Sequence, residues 1–172
     1  MFERDIISQL AAWKTDTNRK PLVVHGARQV GKTWTLKYFG REYFDDVAYF
    51  SLDKDESGLC DVFRTTKDPQ RIIQHLSFLH GKKIEPQTTL LILDEIQECN
   101  EALNALKYFC EEAPEYAVAC AGSLLGIYLN HVGKSFPVGK VNHLYMYPLT
   151  FTEFLRTKDP VMHEYMHSID KV

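Results

Sequence analysis

The feature that most constrains this chain is a glycine-rich stretch that lies between an apolar segment and a helical one. Residues 26–33 read Gly-Ala-Arg-Gln-Val-Gly-Lys-Thr and satisfy the pattern G-x-x-x-x-G-K-S/T. The apolar residues 22–25 before it predict a short buried strand. Residues 32–39 predict a helix that ends at Gly40. This strand–loop–helix unit is typical of parallel α/β folds.

The chemistry of a triphosphate explains the spacing. Consecutive backbone N–H groups must wrap the anion, which requires close approach and unusual dihedral angles at Gly26 and Gly31. The helix that follows adds free N–H donors and its dipole. Lys32 supplies a positive charge at the β- and γ-phosphates, and the Thr33 hydroxyl is suited to bind Mg²⁺. The predicted nucleotide-contacting residues are Gly26, Ala27, Arg28, Gln29, Val30, Gly31, Lys32, Thr33 and Trp34.

Two other predicted strands also end in polar side chains. The apolar run 90–93 leads into Asp94 and Glu95, and the apolar run 117–121 comes shortly before Ser123. Ligands gather at the carboxyl ends of parallel strands, so we expect these side chains beside the glycine-rich loop. Asp94 is suited to hold Mg²⁺ through water, and Glu95 to orient and deprotonate an attacking water. Ser123 is suited to contact the γ-phosphate or that water, and it also fits as the N-cap of a following helix.

The rest of the apolar pattern alternates strands with helices. We predict strands over residues 22–25, 47–52, 90–93, 117–121 and 141–147. We predict helices over residues 2–13, 32–39, 69–80, 101–112 and 150–172. Strands separated by helices predict an α/β fold in which helices cover both faces of a parallel sheet.

Composition supports one soluble domain in a reducing compartment. The chain has 172 residues, of which 45% are hydrophobic and 25% charged, so it can bury a core. The formal net charge of -3 does not indicate a basic face for nucleic acid. None of the four cysteines has zinc or redox spacing, and we expect no disulfide in a chain of this length. The uncharged stretch 116–129 is too short to span a bilayer, and we expect a cytoplasmic location.

Four motifs in order resemble the prokaryotic AAA_14 family, within the AAA+ division of P-loop ATPases. They occupy residues 26–33, 93–97, 121–125 and 147–155, and the resemblance covers residues 2–157. It implies a three-layer αβα fold with a five-stranded parallel sheet of order 5-1-4-3-2. It also implies an Mg²⁺-dependent ATPase. By position, the implied catalytic residues are Lys32, Glu95 and Ser123, and the implied metal-binding residues are Thr33 and Asp94.

The resemblance further implies an ATPase core over residues 1–157 and the start of a helical region over 158–172. Family members usually continue into a DUF4143 region, so ATP and ADP, a downstream domain of the same chain and further copies of the chain are the implied partners. Nucleic acid stays open as a partner. Arg156 is a candidate arginine finger that acts in a neighbouring subunit. Trp34 departs from the small or hydroxyl residue usual in the family, and we expect it in the core.

Other functions remain open from the residues alone. A nucleotide-binding switch with little turnover would use the same loop. His163, Glu164 and His167 fit the H-E-x-x-H pattern of zinc proteases, although no following sequence supplies a third ligand. The phosphate loop alone leaves small-molecule kinase activity possible, but the Asp94–Glu95 pair favours water as the acceptor. A GTPase is disfavoured because the sequence contains no Asn/Thr-Lys-x-Asp motif.

Overall fold

A parallel sheet forms the centre of the molecule. The computed structural model describes residues 4–53, 58–123 and 139–169. The strands are β1 (Leu22–His25), β2 (Asp46–Ser51), β3 (Thr89–Asp94), β4 (Ala117–Ala121) and β5 (Asn142–Tyr145). They pair in parallel in the order β2-β3-β4-β1-β5. Read from the opposite edge, this is the predicted order 5-1-4-3-2, which is therefore confirmed.

Helices cover both faces of the sheet. They are α1 (Ile6–Thr15), α2 (Lys32–Tyr43), α3 (Leu59–Thr65), α4 (Pro69–His80), α5 (Asn100–Glu112), α6 (Phe151–Lys158) and α7 (Pro160–Ile169), with a 3₁₀ turn at Ile96–Glu98. The apolar side chains of α1 and α2 pack on one face, and those of α3, α4 and α5 pack on the other. The predicted three-layer αβα architecture is confirmed.

Burial explains why the central strands read as continuous apolar runs. Every residue of β3 and of β4 is buried, because both faces of these strands are covered. At the edge of the sheet, β5 alternates half-buried and exposed residues instead. This edge strand also ends earlier than predicted, at Tyr145.

Gly40 lies inside α2 and does not end it. The helix continues to Tyr43, so the predicted boundary is wrong. A Cβ atom at position 40 would lie 2.5 Å from Val47 Cγ2 and 3.2 Å from Leu90 Cδ2. The glycine therefore lets the helix backbone approach the sheet closely. A sequence pattern cannot distinguish this use of glycine from a helix end.

The sequence did not predict α3, and the helical segment after residue 150 forms two helices. α6 begins with a capping box, in which the Thr150 hydroxyl accepts from the Glu153 N–H and the Glu153 carboxylate accepts from the Thr150 N–H. α6 ends before Asp159, and α7 starts at Pro160. Proline disfavours a helical conformation for the residue before it, which accounts for this break. Residues 2–3 and 170–172 of the predicted terminal helices lie outside the described residues.

A disulfide connects Cys60 and Cys99, whose Cα atoms are 5.9 Å apart. The expectation of no disulfide is therefore wrong. The two cysteines are 39 residues apart in sequence, and contacts between α3 and α5 bring them together. Cys110 and Cys120 are free thiols. No helix in the described ranges is long and apolar enough to cross a membrane.

Candidate nucleotide-binding site

The glycine-rich loop between β1 and α2 has the backbone that its sequence predicts. Gly26 has φ 155° and Gly31 has φ 98°, and Gln29 also adopts a positive φ of 65°. A Cβ atom on Gly26 would lie only 2.3 Å from the backbone oxygen of Met146. The loop therefore packs against the segment that follows β5, and glycine at position 26 makes this contact possible.

Lys32 is buried at the first position of α2, with 7% of its surface exposed. Its ammonium group donates hydrogen bonds of 2.8 Å to the backbone oxygens of Gly26 and of Ala27, so it lies within the loop. Burial lowers the pKa of Lys32, and the carboxylates of Glu95 and Asp94 oppose this effect. The loop thus holds one positive charge facing two negative ones.

The loop and the acidic end of β3 meet directly. The Thr33 hydroxyl donates to Asp94 Oδ2 at 2.7 Å. Asp94 is buried at the end of β3, with 4% of its surface exposed. Its other oxygen, Oδ1, accepts from the Glu95 N–H at 3.0 Å. The expected juxtaposition of a hydroxyl and a carboxylate, both suited to bind Mg²⁺, is therefore observed.

Glu95 turns away from the strand direction. Its φ of 49° lies in the left-handed region, which is unusual for a side chain of this size and is typical of functional sites. Glu95 Oε2 accepts hydrogen bonds from Gln97 Nε2 at 2.6 Å and from the Ser123 hydroxyl at 3.2 Å. The Ser123 N–H also lies 3.3 Å from this oxygen. The polar ends of β3 and β4 thus form one cluster, whereas the helix that Ser123 was expected to cap lies outside the described residues.

Arg4 ties the start of the chain to this site. Its guanidinium donates to the backbone oxygen of Val30 at 3.2 Å and to that of Tyr147 at 2.7 Å. It also forms an ion pair of 3.1 Å with Glu153, and both side chains are largely buried. One arginine therefore connects the loop, the segment after β5 and the start of α6. A cavity of about 270 Å³ lies beside this junction, lined in part by Met146.

Other predicted loop residues face solvent. Ala27, Arg28 and Gln29 are exposed, and Val30 is half-buried. The expectation that Trp34 packs in the core is wrong. Its side chain is 46% exposed and stacks on Tyr38, one helical turn further along α2.

His25 and Arg156 contact residues outside this site. The His25 side chain is buried at the end of β1, where its ring forms a 2.8 Å hydrogen bond with the His143 ring and stacks on Tyr145. Burial, and then the neighbouring His143, lower the pKa of His25. Arg156 forms a 2.7 Å ion pair with Asp5 of its own chain. Its expected role as an arginine finger stays a prediction.

The H-E-x-x-H stretch falls on α7, and the side chain of His167 lies outside the described part of the chain. Among the described residues, Cys60, Cys99 and Glu101 form a group of three potential metal ligands. Two of these are the sulfurs of the disulfide, and His163 does not belong to the group. No observation on the described residues therefore favours a zinc protease.

Three residues of the site were not identified from the sequence. They are Arg4, Gln97 and Tyr49, whose phenol donates to Asp94 Oδ2 at 3.0 Å. Burial, and then the Asp94 carboxylate, raise the pKa of Tyr49 to about 12, so the phenol stays protonated as a donor. Tyr49 could have been noticed because it carries a phenol hydroxyl and lies two positions before the end of β2, close to the edge of the sheet where the site forms. No sequence pattern indicated Arg4, because Glu153 and Tyr147, two of its partners, are distant in the chain.

The parallel sheet and the loop between β1 and α2 define the class of P-loop nucleotide-binding domains. The chain belongs to the AAA_14 family, an AAA domain whose sequence profile matches residues 18–155. It is thus an ATP-binding protein of the AAA type. Among curated proteins, none matches the sequence. A solved structure, that of PCH-2 from C. elegans, is similar with a TM-score of 0.46 and 14% identity. The match covers 82% of this chain and 41% of that one.

Proposed function

We propose that this domain hydrolyses ATP with Mg²⁺ and couples the nucleotide cycle to a downstream part of the same protein. The contact between Thr33 and Asp94, beside the buried Lys32, is the observation that carries the proposal. It brings the glycine-rich loop and the Asp94 carboxylate to one end of the sheet, which supports their proposed roles in binding phosphate and metal.

The residues of the site fit a magnesium–triphosphate. The Thr33 hydroxyl and the Asp94 carboxylate are hard oxygen ligands, the type that Mg²⁺ prefers. When bound, Mg²⁺ neutralises charge on the phosphate oxygens. The Lys32 ammonium would exchange its two hydrogen bonds to loop carbonyls for bonds to phosphate oxygens. The backbone N–H groups of the loop and of the start of α2 would hold the remaining phosphate oxygens.

Glu95 is the proposed general base. Its carboxylate lies next to Asp94 in sequence and bonds both Gln97 and Ser123. These two donors fix the orientation of the carboxylate, which then accepts a proton from the attacking water. Ser123, just after the neighbouring strand β4, is the proposed sensor of the γ-phosphate, and its hydrogen bond to Glu95 supports this role.

The cavity beside Arg4 is the proposed site of the nucleoside. Its volume of about 270 Å³ is suited to a base rather than to a whole nucleotide. Met146, which lies 3.6 Å from the Cβ position of Gly31, connects this cavity to the phosphate loop. Base and phosphates would therefore lie on either side of the same segment.

Turnover by the whole chain tests the proposal. We expect phosphate release that requires Mg²⁺ and ATP, abolished binding in Lys32→Ala, and binding without release in Glu95→Gln. Loss of a general base lowers the rate by roughly 10²- to 10⁴-fold. Matched controls are Lys107→Ala and Glu98→Gln, because both side chains are exposed and outside the site. Normal release by Glu95→Gln would contradict the role of Glu95.

The alternative is a nucleotide-binding switch with little turnover. The bonds that Glu95 makes to Gln97 and Ser123 favour it, because they occupy one oxygen of the proposed base. Tight ATP binding by the wild type without phosphate release, also in the presence of its downstream region, would support the switch over the hydrolase.

A further inference from the structure

Tyr49 lies on β2, a strand that the proposed site does not otherwise use. β2 pairs with β3 in parallel, with Tyr49 opposite Ile92 and Ser51 opposite Asp94. Alternation along the strands places the side chains of Tyr49 and Asp94 on the same face of the sheet, the face that α2 covers. The aromatic side chain is long enough to reach from one strand to the end of the next.

From residues that the structure describes, the Asp94 carboxylate accepts three hydrogen bonds. Oδ2 accepts from the Thr33 hydroxyl at 2.7 Å and from the Tyr49 phenol at 3.0 Å. Oδ1 accepts from the N–H of the following residue at 3.0 Å. Donors on both oxygens prevent the carboxylate from rotating, and a carboxylate offers about four lone-pair positions, so one is left for a further ligand.

A cation–π contact also holds the ring of Tyr49 in place. The ammonium group of Lys37, on α2, lies 3.2 Å from the centroid of the ring. A cation over a ring face stabilises the ring in place. The phenol therefore reaches Asp94 from a ring whose position is fixed by both β2 and α2.

We propose that Tyr49 is a positioning residue that orients the Asp94 carboxylate for the divalent cation of a bound nucleotide. The inference rests on the proposed function, since it concerns how the metal is held. Thr33 belongs to the loop, and its hydroxyl could bind the metal through its oxygen while it still donates to Asp94. The Tyr49 hydrogen bond is independent of the loop and keeps the carboxylate oriented throughout.

Tyr49→Phe tests the inference, because it removes the hydroxyl and keeps the ring beneath Lys37. Calorimetric titration with a non-hydrolysable ATP analogue measures the affinity in EDTA and at increasing Mg²⁺. We expect the Mg²⁺ concentration that gives half of the maximal increase in analogue affinity to rise by roughly tenfold. A change of this size is typical when a group that orients a metal ligand is lost. We expect the affinity in EDTA to stay within about twofold, because Tyr49 does not touch the phosphate loop.

A double-mutant cycle with Asp94→Asn separates positioning from a structural role. On the Asp94→Asn background, Tyr49→Phe should change the Mg²⁺ requirement by less than about twofold. Tyr43→Phe, which removes an exposed phenol at the far end of α2, is the matched control and should behave as the wild type. Urea unfolding of each variant reports any loss of stability.

Two outcomes overturn the inference and differ from each other. If the wild type binds the analogue more tightly with Mg²⁺ and Tyr49→Phe shows the same Mg²⁺ requirement, Tyr49 has no positioning role and the proposed function stands. If the wild type shows no Mg²⁺-dependent binding at all, the proposed function fails and the inference fails with it.

Discussion

Reduction of the Cys60–Cys99 disulfide is expected to destabilise the domain strongly. The bond closes a loop over a sequence separation of 39 residues. Loop-closure entropy for that length corresponds to about 4 kcal/mol at 25 °C. Both sulfurs are buried where α3 meets the start of α5, so the folded state loses little contact when the bond is cut, and the change acts mainly on the unfolded chain.

Urea unfolding with and without a reducing thiol measures this effect. The free energy of unfolding falls by about 2 kcal/mol per M of urea, so the urea concentration at the unfolding midpoint should fall by about 2 M in the presence of dithiothreitol. Each reduced bond yields two thiols, with dithiothreitol oxidised to its cyclic disulfide. The Cys60→Ser, Cys99→Ser double variant should unfold at the lower midpoint without reductant, and dithiothreitol should not change that midpoint. Cys110→Ser, which removes a free thiol, should respond as the wild type does. A wild-type midpoint that moves by less than about 0.5 M would refute the reasoning.

Three further substitutions probe contacts that the tertiary structure creates. Burial raises the pKa of Glu153, but hydrogen bonds from backbone N–H groups and from Arg4 lower it overall. Its contribution to stability is therefore complete above the ordinary carboxyl pKa of about 4.5 and is lost as the pH falls through the lower pKa of the folded state. Glu153→Gln should lower the free energy of unfolding by about 1.5–3 kcal/mol at pH 7, and stability measured by urea unfolding should then fall less steeply at acid pH. An unchanged pH dependence below neutral pH would contradict this. Gly40→Ala should lower the free energy of unfolding by about 1–3 kcal/mol, because the new Cβ meets Val47. Adding Val47→Ala should recover part of this loss. Equal stability of the wild type and Gly40→Ala would show that the close approach is not needed. Gly26 has φ 155°, and Gly26→Ala places a Cβ against the backbone oxygen of Met146. Nucleotide affinity measured by calorimetry should therefore fall by at least tenfold. Retained affinity would show that the loop does not need this tight packing.

The proposed coupling between nucleotide and downstream chain would use the contacts of Arg4 and Glu153. The Arg4 guanidinium touches the phosphate loop, and the Glu153 carboxylate that pairs with it lies in the first turn of α6. α6 in turn packs on α7, the last helix of the described chain. A displacement of the loop on binding phosphate would therefore reach the C-terminal helices through one buried ion pair.

The sequence predicted those parts of the site that depend on neighbouring residues. The glycines and Lys32 of the loop follow one another in the chain, and Asp94 follows an apolar run directly. Local spacing alone therefore indicated that the loop and the acidic residue lie at carboxyl ends of parallel strands. The Thr33–Asp94 contact then follows from the strand order, which the family resemblance implied.

The tertiary structure alone decided the contacts between residues that are distant in sequence. Arg4 meets Glu153 across 149 positions and Tyr49 meets Asp94 across 45, and no local pattern specifies either pair. The disulfide and the use of Gly40 for close packing were mispredicted for the same reason. Sequence periodicity reports which face of an element is apolar, whereas the partner across that face is set only when the elements pack together.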